Sequence, residues 1–589
     1  MSPEAWLVLA VVAGVLFALV REVASPAAAM TTAMVIVLVT GVVTPEEALS
    51  GFSNPAPITV AALYVLARAV EKTGALTPLI GRLLGSGSST RGSLIRLVVP
   101  TTISSAFLNN TPIVAMLLPQ VRAWCEQRRL SPSRFLMPLS FAALLGGVIT
   151  VIGTSTNIVV SGLMTESGLG GLGFFELAAV GVPIAILGTV LLVVLAPLLL
   201  PERRSAREEI DEEVRQFVIE MLVDGGGPLD GRPVEGAGLR HLTSVFLATI
   251  EREGFLIAPV APDEVLRGGD RLRFVGRVKD VVDLAAIRGL TPEPTDHLLD
   301  LDTVSARYFE AVIGAESPLV GTTLRSAGFR RRYQAVVMAI HRAGQRIDAK
   351  LGEVQLRVGD TLLILSDPGF RSRWGDRSDF LVVSQHGGAP GVNAPKAVVV
   401  GAVAAGIVAL ASTGAIPILQ ASLVGAVVLL GARVLTPSEA RTAVDLDVII
   451  LIATAFGVAN AISASGLAST VASGLVDGLG FMGTRGILTG VVIATLILTA
   501  VITNNAAALL MFPVAVASAQ TAGLDPRGFA VAVAVAASVD FLTPIGYQTN
   551  TMVYGPGGYR FGDYARLGAP ITVVVVLTLV ALVPIVWSP

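Results

Sequence analysis

Two short stretches of amide and hydroxyl side chains, set in apolar sequence and repeated in the two halves of the chain, are the residues best placed to do chemistry. Asn110-Thr-Pro-Ile-Val-Ala-Met-Leu-Leu-Pro119 and Asn504-Asn-Ala-Ala-Ala-Leu-Leu-Met-Phe-Pro513 align from Asn to Pro without a gap. Each follows an apolar segment, and each has a second echo downstream: Gly153-Thr-Ser-Thr-Asn157 in one half and Gly546-Tyr-Gln-Thr-Asn550 in the other. Asn110 and Asn157 are 47 residues apart, Asn504 and Asn550 46. A helix broken at membrane depth exposes N–H groups with partial positive charge, which suit an anion. It also exposes carbonyls, which together with amide and hydroxyl oxygens suit Na⁺. The residues at the four breaks are of that kind: Asn109, Asn110 and Thr111; Thr154, Ser155, Thr156 and Asn157; Thr503, Asn504 and Asn505; Thr549 and Asn550. No lysine or arginine sits at any of them. An anion here would be held by dipoles, amides, hydroxyls and a companion cation, so cation coupling is expected. One buried Asn could simply join neighbouring helices; four polar breaks in repeat-related positions point instead to a binding site.

The elements that must position these residues are apolar helices. The chain has 589 residues, 53% of them apolar and 15% charged, with a mean hydropathy of +0.73. Several runs approach the roughly 20 residues needed to cross hydrocarbon. A polytopic α-helical membrane protein is expected. The formal net charge of -2 and the absence of a basic block interleaved with aromatics argue against nucleic acid as a partner. A single cysteine, Cys125, excludes an intramolecular disulfide framework and a thiolate metal cluster. Met1 to Leu7 lacks the positive start of a secretory signal, so the first apolar run is expected to be a retained span.

Apolar segments fall near residues 5–20, 27–43, 56–72, 94–120, 135–165 and 173–200, and the same order resumes near 396–412, 415–432, 447–465, 486–518, 527–553 and 568–587. The fourth and fifth of each set are interrupted at the polar breaks. If each Asn-tipped segment is a re-entrant hairpin, each half crosses the bilayer five times and the second half is inverted. The arginines fit this arrangement. With the 201–395 insert in the cytoplasm, Arg21, Lys72, Arg82, Arg91, Arg96, Arg122, Arg128, Arg129, Arg134, Arg433, Arg441, Arg560 and Arg566 fall inside, and only Arg485 and Arg527 outside. The expectation is ten transmembrane helices plus two hairpins, with both termini outside.

The insert reads as soluble α/β structure with apolar runs of four to eight residues. It too is duplicated. Pro228-Leu-Asp-Gly231 matches Pro318-Leu-Val-Gly321, Ala237-Gly-Leu-Arg240 matches Ala327-Gly-Phe-Arg330, and Leu266-Arg-Gly-Gly-Asp270 matches Leu356-Arg-Val-Gly-Asp360, all at an offset of 90. The expected division is therefore 1–200, a first membrane repeat; 201–296 and 297–395, two small domains of one fold; and 396–589, the second membrane repeat. Pro292, Pro294 and Thr295 mark one linker and Gly387 to Pro395 another.

The remaining candidates are weaker. Asp540 precedes the second broken loop, and an intramembrane carboxylate is either functional or a scaffold residue capped by backbone. Asp445 and Asp447 read as a solvated helix end, and Arg68, Glu71 and Lys72 as interface anchors. Gly225-Gly-Gly-Pro-Leu-Asp-Gly231 lacks both phosphate-loop spacings and reads as a turn. His241 and His341 lack metal-ligand spacing, and no nucleophile–base constellation is visible, so an enzyme is not expected.

The Leu108 to Pro119 and Thr503 to Pro513 stretches resemble the two Ser-Asn-Thr hairpin tips of the divalent anion:sodium symporters, carriers of dicarboxylates, citrate and sulfate. Gly153 to Asn157 and Gly546 to Asn550 resemble that family's Gly/Ala-Thr-Pro-Pro-Asn loops. The resemblance covers both membrane halves. It implies an inverted-repeat, elevator-type homodimer in lipid. Asn110 and Asn504 then lie between Na⁺ and substrate, with Asn109, Thr111, Thr503 and Asn505 flanking, Gln548 and Thr549 beside the substrate, and Gly153, Thr154, Asn157, Gly546 and Asn550 near sodium. Ser155, Thr156 and Asp540 are further candidates. Asn109 stands in place of Ser, Asn505 in place of Thr, Tyr547 in place of the loop Thr, and Ser-Thr and Gln-Thr in place of the Pro-Pro pairs. The soluble duplicate resembles paired TrkA C-terminal domains, a combination similar to the family's sulfate-transporting branch.

These readings together lead us to expect a multi-pass protein of the cytoplasmic membrane. It would import a small divalent anion, sulfate first and dicarboxylate or citrate second, coupled to Na⁺ or alternatively to H⁺. An unidentified regulatory ligand is expected at the cytoplasmic pair. Two alternatives stay open: an arsenite- or cation-exchanging relative that relies on Asp540, and a membrane-embedded sensor.

Overall fold

Helix starts are written in the sequence as a small polar residue followed by proline, which suits the first turn because its missing N–H would be unpaired there anyway. Ser2, Ser25, Thr44, Asn54, Thr436 and Asp525 each precede a proline, and each side chain accepts a backbone N–H of the helix that follows. The computed structural model describes residues 1–21, 23–74, 89–128, 130–202, 218–239, 245–253, 255–257, 260–276, 287–292, 307–314, 317–342, 345–347, 349, 351–367, 369–374, 377, 379–380, 382–385, 394–544 and 546–587. Arg82, Arg129, Arg240, His241, Pro294, Thr295 and most of the 387–395 linker, all used in the sequence reading, lie outside the described residues.

The first half builds α1 (Pro3–Val20), α2 (Pro26–Val39), α3 (Pro45–Ser53), α4 (Pro55–Thr73), α5 (Thr90–Ser105), α6 (Asn110–Gln127), α7 (Leu136–Gly147), α8 (Ser155–Glu166) and α9 (Ala178–Leu199). The insert contributes the five-residue helices α10 (Phe329–Tyr333) and α11 (Phe370–Trp374). The second half builds α12 (Ala394–Ser412), α13 (Ile418–Gly431), α14 (Pro437–Ala443), α15 (Leu446–Ala464), α16 (Leu467–Leu479), α17 (Gly483–Thr499), α18 (Asn504–Thr521), α19 (Pro526–Ser538), α20 (Gln548–Tyr554) and α21 (Phe561–Val586). The order of lengths and breaks repeats, down to matching capping boxes at Thr44–Glu47 and Thr436–Glu439.

Six helices among the described residues are long and apolar enough to cross a membrane. Large apolar side chains point outward from several of them, among them Ile186, Leu198, Val398, Leu577 and Ile585, which suits lipid rather than water as the surrounding solvent. Three helices went unread in the sequence. The short, half-polar α3 and α14 lie in what reads as loop, and α16, whose apolar residues alternate with serines, a threonine and an aspartate, continues into α17 as one apolar stretch.

Both membrane halves share one hydrophobic core, in which α9 packs on α21, α2 and α3 pack on α15, and α5 packs on α7. Two further cores belong to the insert. There β1 (Val218–Val223), β2 (Val245–Arg252), β3 (Phe255–Ile257), β4 (Arg271–Gly276) and β5 (Leu290–Pro292) form an antiparallel sheet ordered β3-β2-β4-β1-β5. A second sheet of β6 (Arg307–Val312), β7 (Ala335–Arg342), β8 (Gln345–Arg346), β9 (Thr361–Ser366) and β10 (Val382–Gln385) runs in the same order, β8-β7-β9-β6-β10. The offset of 90 holds in detail. The register shift at Leu247/Thr249 recurs at Val337/Ala339. The ion pair of Arg252 with Asp270 recurs as Arg342 with Asp360, each at 2.8 Å. Asp360, hydrogen-bonded to the Arg342 guanidinium, raises its pKa, and Asp270 does the same for Arg252.

The second sheet is docked on the membrane half. Glu310 on β6 forms a buried pair with Arg122 on α6, with Arg122 Nη2 2.6 Å from Glu310 Oε1. Nearby, Gly359 and Thr361 at the start of β9 lie against Tyr554 and Gly555, where α20 ends.

Candidate functional site

Four helix N-termini converge at the polar breaks. Helices α6 and α18 start at Asn110 and Asn504, and α8 and α20 start at Ser155 and Gln548, each with the break residues at its mouth. The residues before three of these helices, Thr154, Thr503 and Tyr547, adopt the extended conformation of a cap, yet none turns its side chain onto its own helix. First-turn N–H groups that an ordinary cap would occupy are thus left to something else.

The convergence is reciprocal. The tip helix of each half packs against the second piece of the broken helix of the other, α6 against α20 and α18 against α8. Hydrogen bonds follow that packing. Ser155 Oγ and Thr156 Oγ1 both donate to Asn505 Oδ1 at 3.2 Å. Across the site, Asn110 Nδ2 donates to Tyr547 Oη at 2.6 Å, and Thr111 Oγ1 donates to Gln548 Oε1 at 3.3 Å. Tyr547 Oη also lies 3.2 Å from Thr154 Oγ1. One polar cluster therefore contains residues from all four breaks.

The two loop asparagines have a different job. Asn157 Nδ2 donates to the carbonyls of Gly147 and Thr150, and Asn550 Nδ2 donates to those of Asp540 and Thr543, ten and seven residues back in both cases. Each amide thus pins its unwound loop to the end of the helix that enters it. The other amide oxygen bonds across the repeats: Ser538 donates to Asn157 Oδ1 at 3.3 Å and Ser140 to Asn550 Oδ1 at 2.7 Å. Gly153 and Gly546 sit where an added Cβ would strike backbone, the carbonyl of Gly147 in one half and that of Thr499 in the other.

Asp540 is buried and accepts from Thr543 Oγ1 at 2.8 Å and from the N–H of Leu542 at 3.2 Å. It makes no ion pair among the described residues. The carboxylate caps its own loop and stands at the repeat position of Gly147. Asn109 is half-buried in the turn before α6, Gln548 is exposed, and Thr549 is buried beneath Ser140, whose Oγ lies 2.9 Å away. Ser105, Ser140 and Ser538, which orient the tip and loop amides, are absent from the sequence reading. For Ser140 and Ser538 the signal was available as a lone hydroxyl within an apolar run, whereas Ser105 is one of four hydroxyl residues between Thr101 and Ser105.

The two tips differ in one respect. Asn110 is satisfied on both amide atoms, accepting from Ser105 Oγ at 2.6 Å and donating to Tyr547. Thr503 Oγ1 and Asn504 Nδ2 are buried and have no hydrogen-bond partner among the described residues. Leaving such a group unmet costs about 1–3 kcal/mol, so this corner is built to be completed by something polar.

A family model described as "Citrate transporter" matches residues 14–536 and 479–588. An uncharacterized transporter of Synechocystis is 35% identical, covering 98% of this chain and 96% of its own length. A protein of Chlamydomonas reinhardtii, provisionally named a sulfur deprivation response regulator, is 34% identical over 97% of this chain and its own entire length. The same alga's sodium/sulfate cotransporter 1 is 25% identical, covering 90% of this chain and 84% of its own length.

Proposed function

The chain is a multi-pass membrane transporter of the citrate transporter family, and from that premise we propose that it is a sodium-coupled symporter importing a small divalent anion, sulfate first and a dicarboxylate or citrate second. The observation that carries this reading is the meeting of four helix mouths, three of them without a side-chain cap and all free of lysine and arginine, in one polar cluster, with Thr503 Oγ1 and Asn504 Nδ2 buried at one of these mouths and without a partner among the described residues. N–H dipoles and a donor amide can hold an oxyanion, while carbonyl, amide and hydroxyl oxygens beside them can hold a sodium ion. Neither charge is comfortable there alone. The name of the sodium/sulfate cotransporter relative supports both sulfate and sodium.

In this reading Asn109, Asn110, Thr111, Thr503, Asn504, Asn505, Gln548 and Thr549 face the anion, and the Gly153 and Gly546 loops serve sodium. The hairpins and broken helices form the moving half of an elevator-type homodimer in the cytoplasmic membrane, with both termini outside and the insert inside. The test is uptake of labelled sulfate into proteoliposomes with and without an inward Na⁺ gradient. Na⁺-driven uptake that Asn504→Ala and Asn110→Ala both leave intact would remove the site. Uptake driven only by a proton gradient would remove sodium.

We further propose that the two small sheets act as TrkA-C-like regulatory domains. The buried Arg122–Glu310 pair supports this, because it ties the second sheet to the helix that begins at Asn110. Deleting residues 205–392 should change the transport rate or its response to cytosolic metabolites; unchanged behaviour in both would remove the idea. A second reading, a membrane-embedded sensor, draws on the name of the sulfur-deprivation relative. A protein that binds sulfate but moves none across a sealed vesicle would favour it.

A further inference from the structure

The two small sheets differ at one repeat-related position. In the first sheet Glu220 on β1 stands opposite Arg273 on β4 and pairs with it, Arg273 Nε lying 2.5 Å from Glu220 Oε1. At the same place in the second sheet, offset by 90, Glu310 on β6 stands opposite Leu363 on β9. Leucine offers no charge, so Glu310 takes its cation from outside the domain: Arg122 of α6, in a pair buried on both sides. The same sheet makes a second close approach. A Cβ added to Gly555, just past α20, would strike Thr361 Oγ1 and come within 3.3 Å of the Gly359 carbonyl, so a glycine at 555 lets β9 close on the end of that helix.

Both contacts fall on helices whose opposite ends form one mouth of the site. Arg122 lies on α6 twelve residues, about 18 Å, beyond Asn110, and the seven residues of α20 separate Gln548 from Tyr554 by about 10 Å. At the mouth the pair is joined by the bonds of Asn110 with Tyr547 and of Thr111 with Gln548, and the two helices pack on each other. The second sheet thus ties together, at one end, a helix pair that presents Asn110, Thr111, Gln548 and Thr549 at the other.

Resting on the transport reading above, in which those four residues face the anion, we infer that the docked second sheet holds the α6 and α20 mouths at their binding separation, so that docking and anion binding strengthen each other. The coupling is reciprocal: whatever factor undocking takes from anion affinity, bound anion returns to docking. Divergence of the duplicated insert assigns this task to one sheet. Glu220 is paired within its own sheet, whereas Leu363 leaves Glu310 to the membrane half.

Two full-length variants open the contact by unrelated routes. Glu310→Gln removes the charge pair, and Gly555→Ala puts a methyl group against Thr361. Equilibrium binding of labelled sulfate to purified protein in NaCl is measured for both. Hydrogen–deuterium exchange of β6 and the start of β9 is followed in wild type with and without sulfate. Each variant should bind sulfate about fivefold or more weakly, and sulfate should slow exchange at the contact in wild type by a similar factor. Unchanged sulfate affinity in either folded variant overturns the inference, and so does wild-type exchange that sulfate leaves unmoved. The wild-type arm needs no variant and decides the matter where a variant fails to fold. A wild type that binds neither sulfate nor citrate, with Na⁺ or without it, is a separate result: the failure of the transport reading.

Discussion

Replacing Glu310 with glutamine removes one charge from a pair that is almost wholly out of water, with 8% of the Arg122 side chain and 7% of the Glu310 side chain exposed. The guanidinium stays behind between α6 and β6. Breaking a buried pair by removing one partner costs about 3–5 kcal/mol, most of it the desolvation of the charge left alone. At 1.4 kcal/mol per tenfold, the balance between docked and undocked second sheet should shift toward undocked by about two to three and a half orders of magnitude. Replacing both partners, Arg122→Met with Glu310→Leu, should recover most of the loss, because no stranded charge remains. The assay is hydrogen–deuterium exchange of β6, the start of β9 and the end of α20, which meet at this contact. Exchange should quicken in each single variant and return toward wild type in the double. Identical exchange in Glu310→Gln and wild type would refute the assignment of docking to this pair. A double variant as loose as the singles would show that the contact depends on something other than charge pairing.

Three further outcomes follow from individual contacts. Gly546→Ala drives a Cβ into the carbonyl of Thr499 and the carboxylate of Asp540, so it should destabilise by about 1–3 kcal/mol through overpacking, read as a lowered melting temperature and reduced uptake. Ser140→Ala leaves Asn550 Oδ1 without its donor across the repeats and should destabilise by about 1–3 kcal/mol, with Ser140→Thr closer to wild type in the same melt. Lys72 and the Thr436 backbone lower the Glu439 carboxyl pKa from 4.5 to about 2. A depressed carboxyl adds stability that is full above its unfolded pKa and fades as pH falls through the folded one. The α4–α14 contact should thus weaken between about pH 4.5 and pH 2, and Lys72→Met should melt with a flatter pH profile over that window; the effect is small because the pair is about one-third exposed.

Much of the site was legible because its signals are local. A hydrophobic run interrupted by Asn-Asn or Gly-Thr-Ser-Thr-Asn stands out from its surroundings, and repetition of the interruption in the other half marks it as the candidate site. The offset of 90 in the insert likewise foretold two sheets of one order, since strand patterns depend on neighbouring residues. Helices α3 and α14 were not legible, because their apolar content is too low to distinguish them from loop, whereas α16 is apolar but has serines, a threonine and an aspartate interspersed along it and runs into the next apolar segment.

Local sequence thus sets the inventory: apolar helices, four polar breaks, a duplicated insert and the residue types at each mouth. Which break meets which was decided only by the tertiary structure. Asn110 and Tyr547 are 437 residues apart, Ser140 and Asn550 410, and Arg122 and Glu310 188. A repeat pattern specifies equivalent positions but carries no term for the contact between them. That contact arises when two halves bury their apolar faces in one core, and burial then forces each remaining amide, hydroxyl and charge to find a partner wherever the packing has placed one. Tyr547 shows the difference: in the sequence it is a departure from a threonine, and in the fold its phenol oxygen meets Asn110 and Thr154 of the opposite repeat.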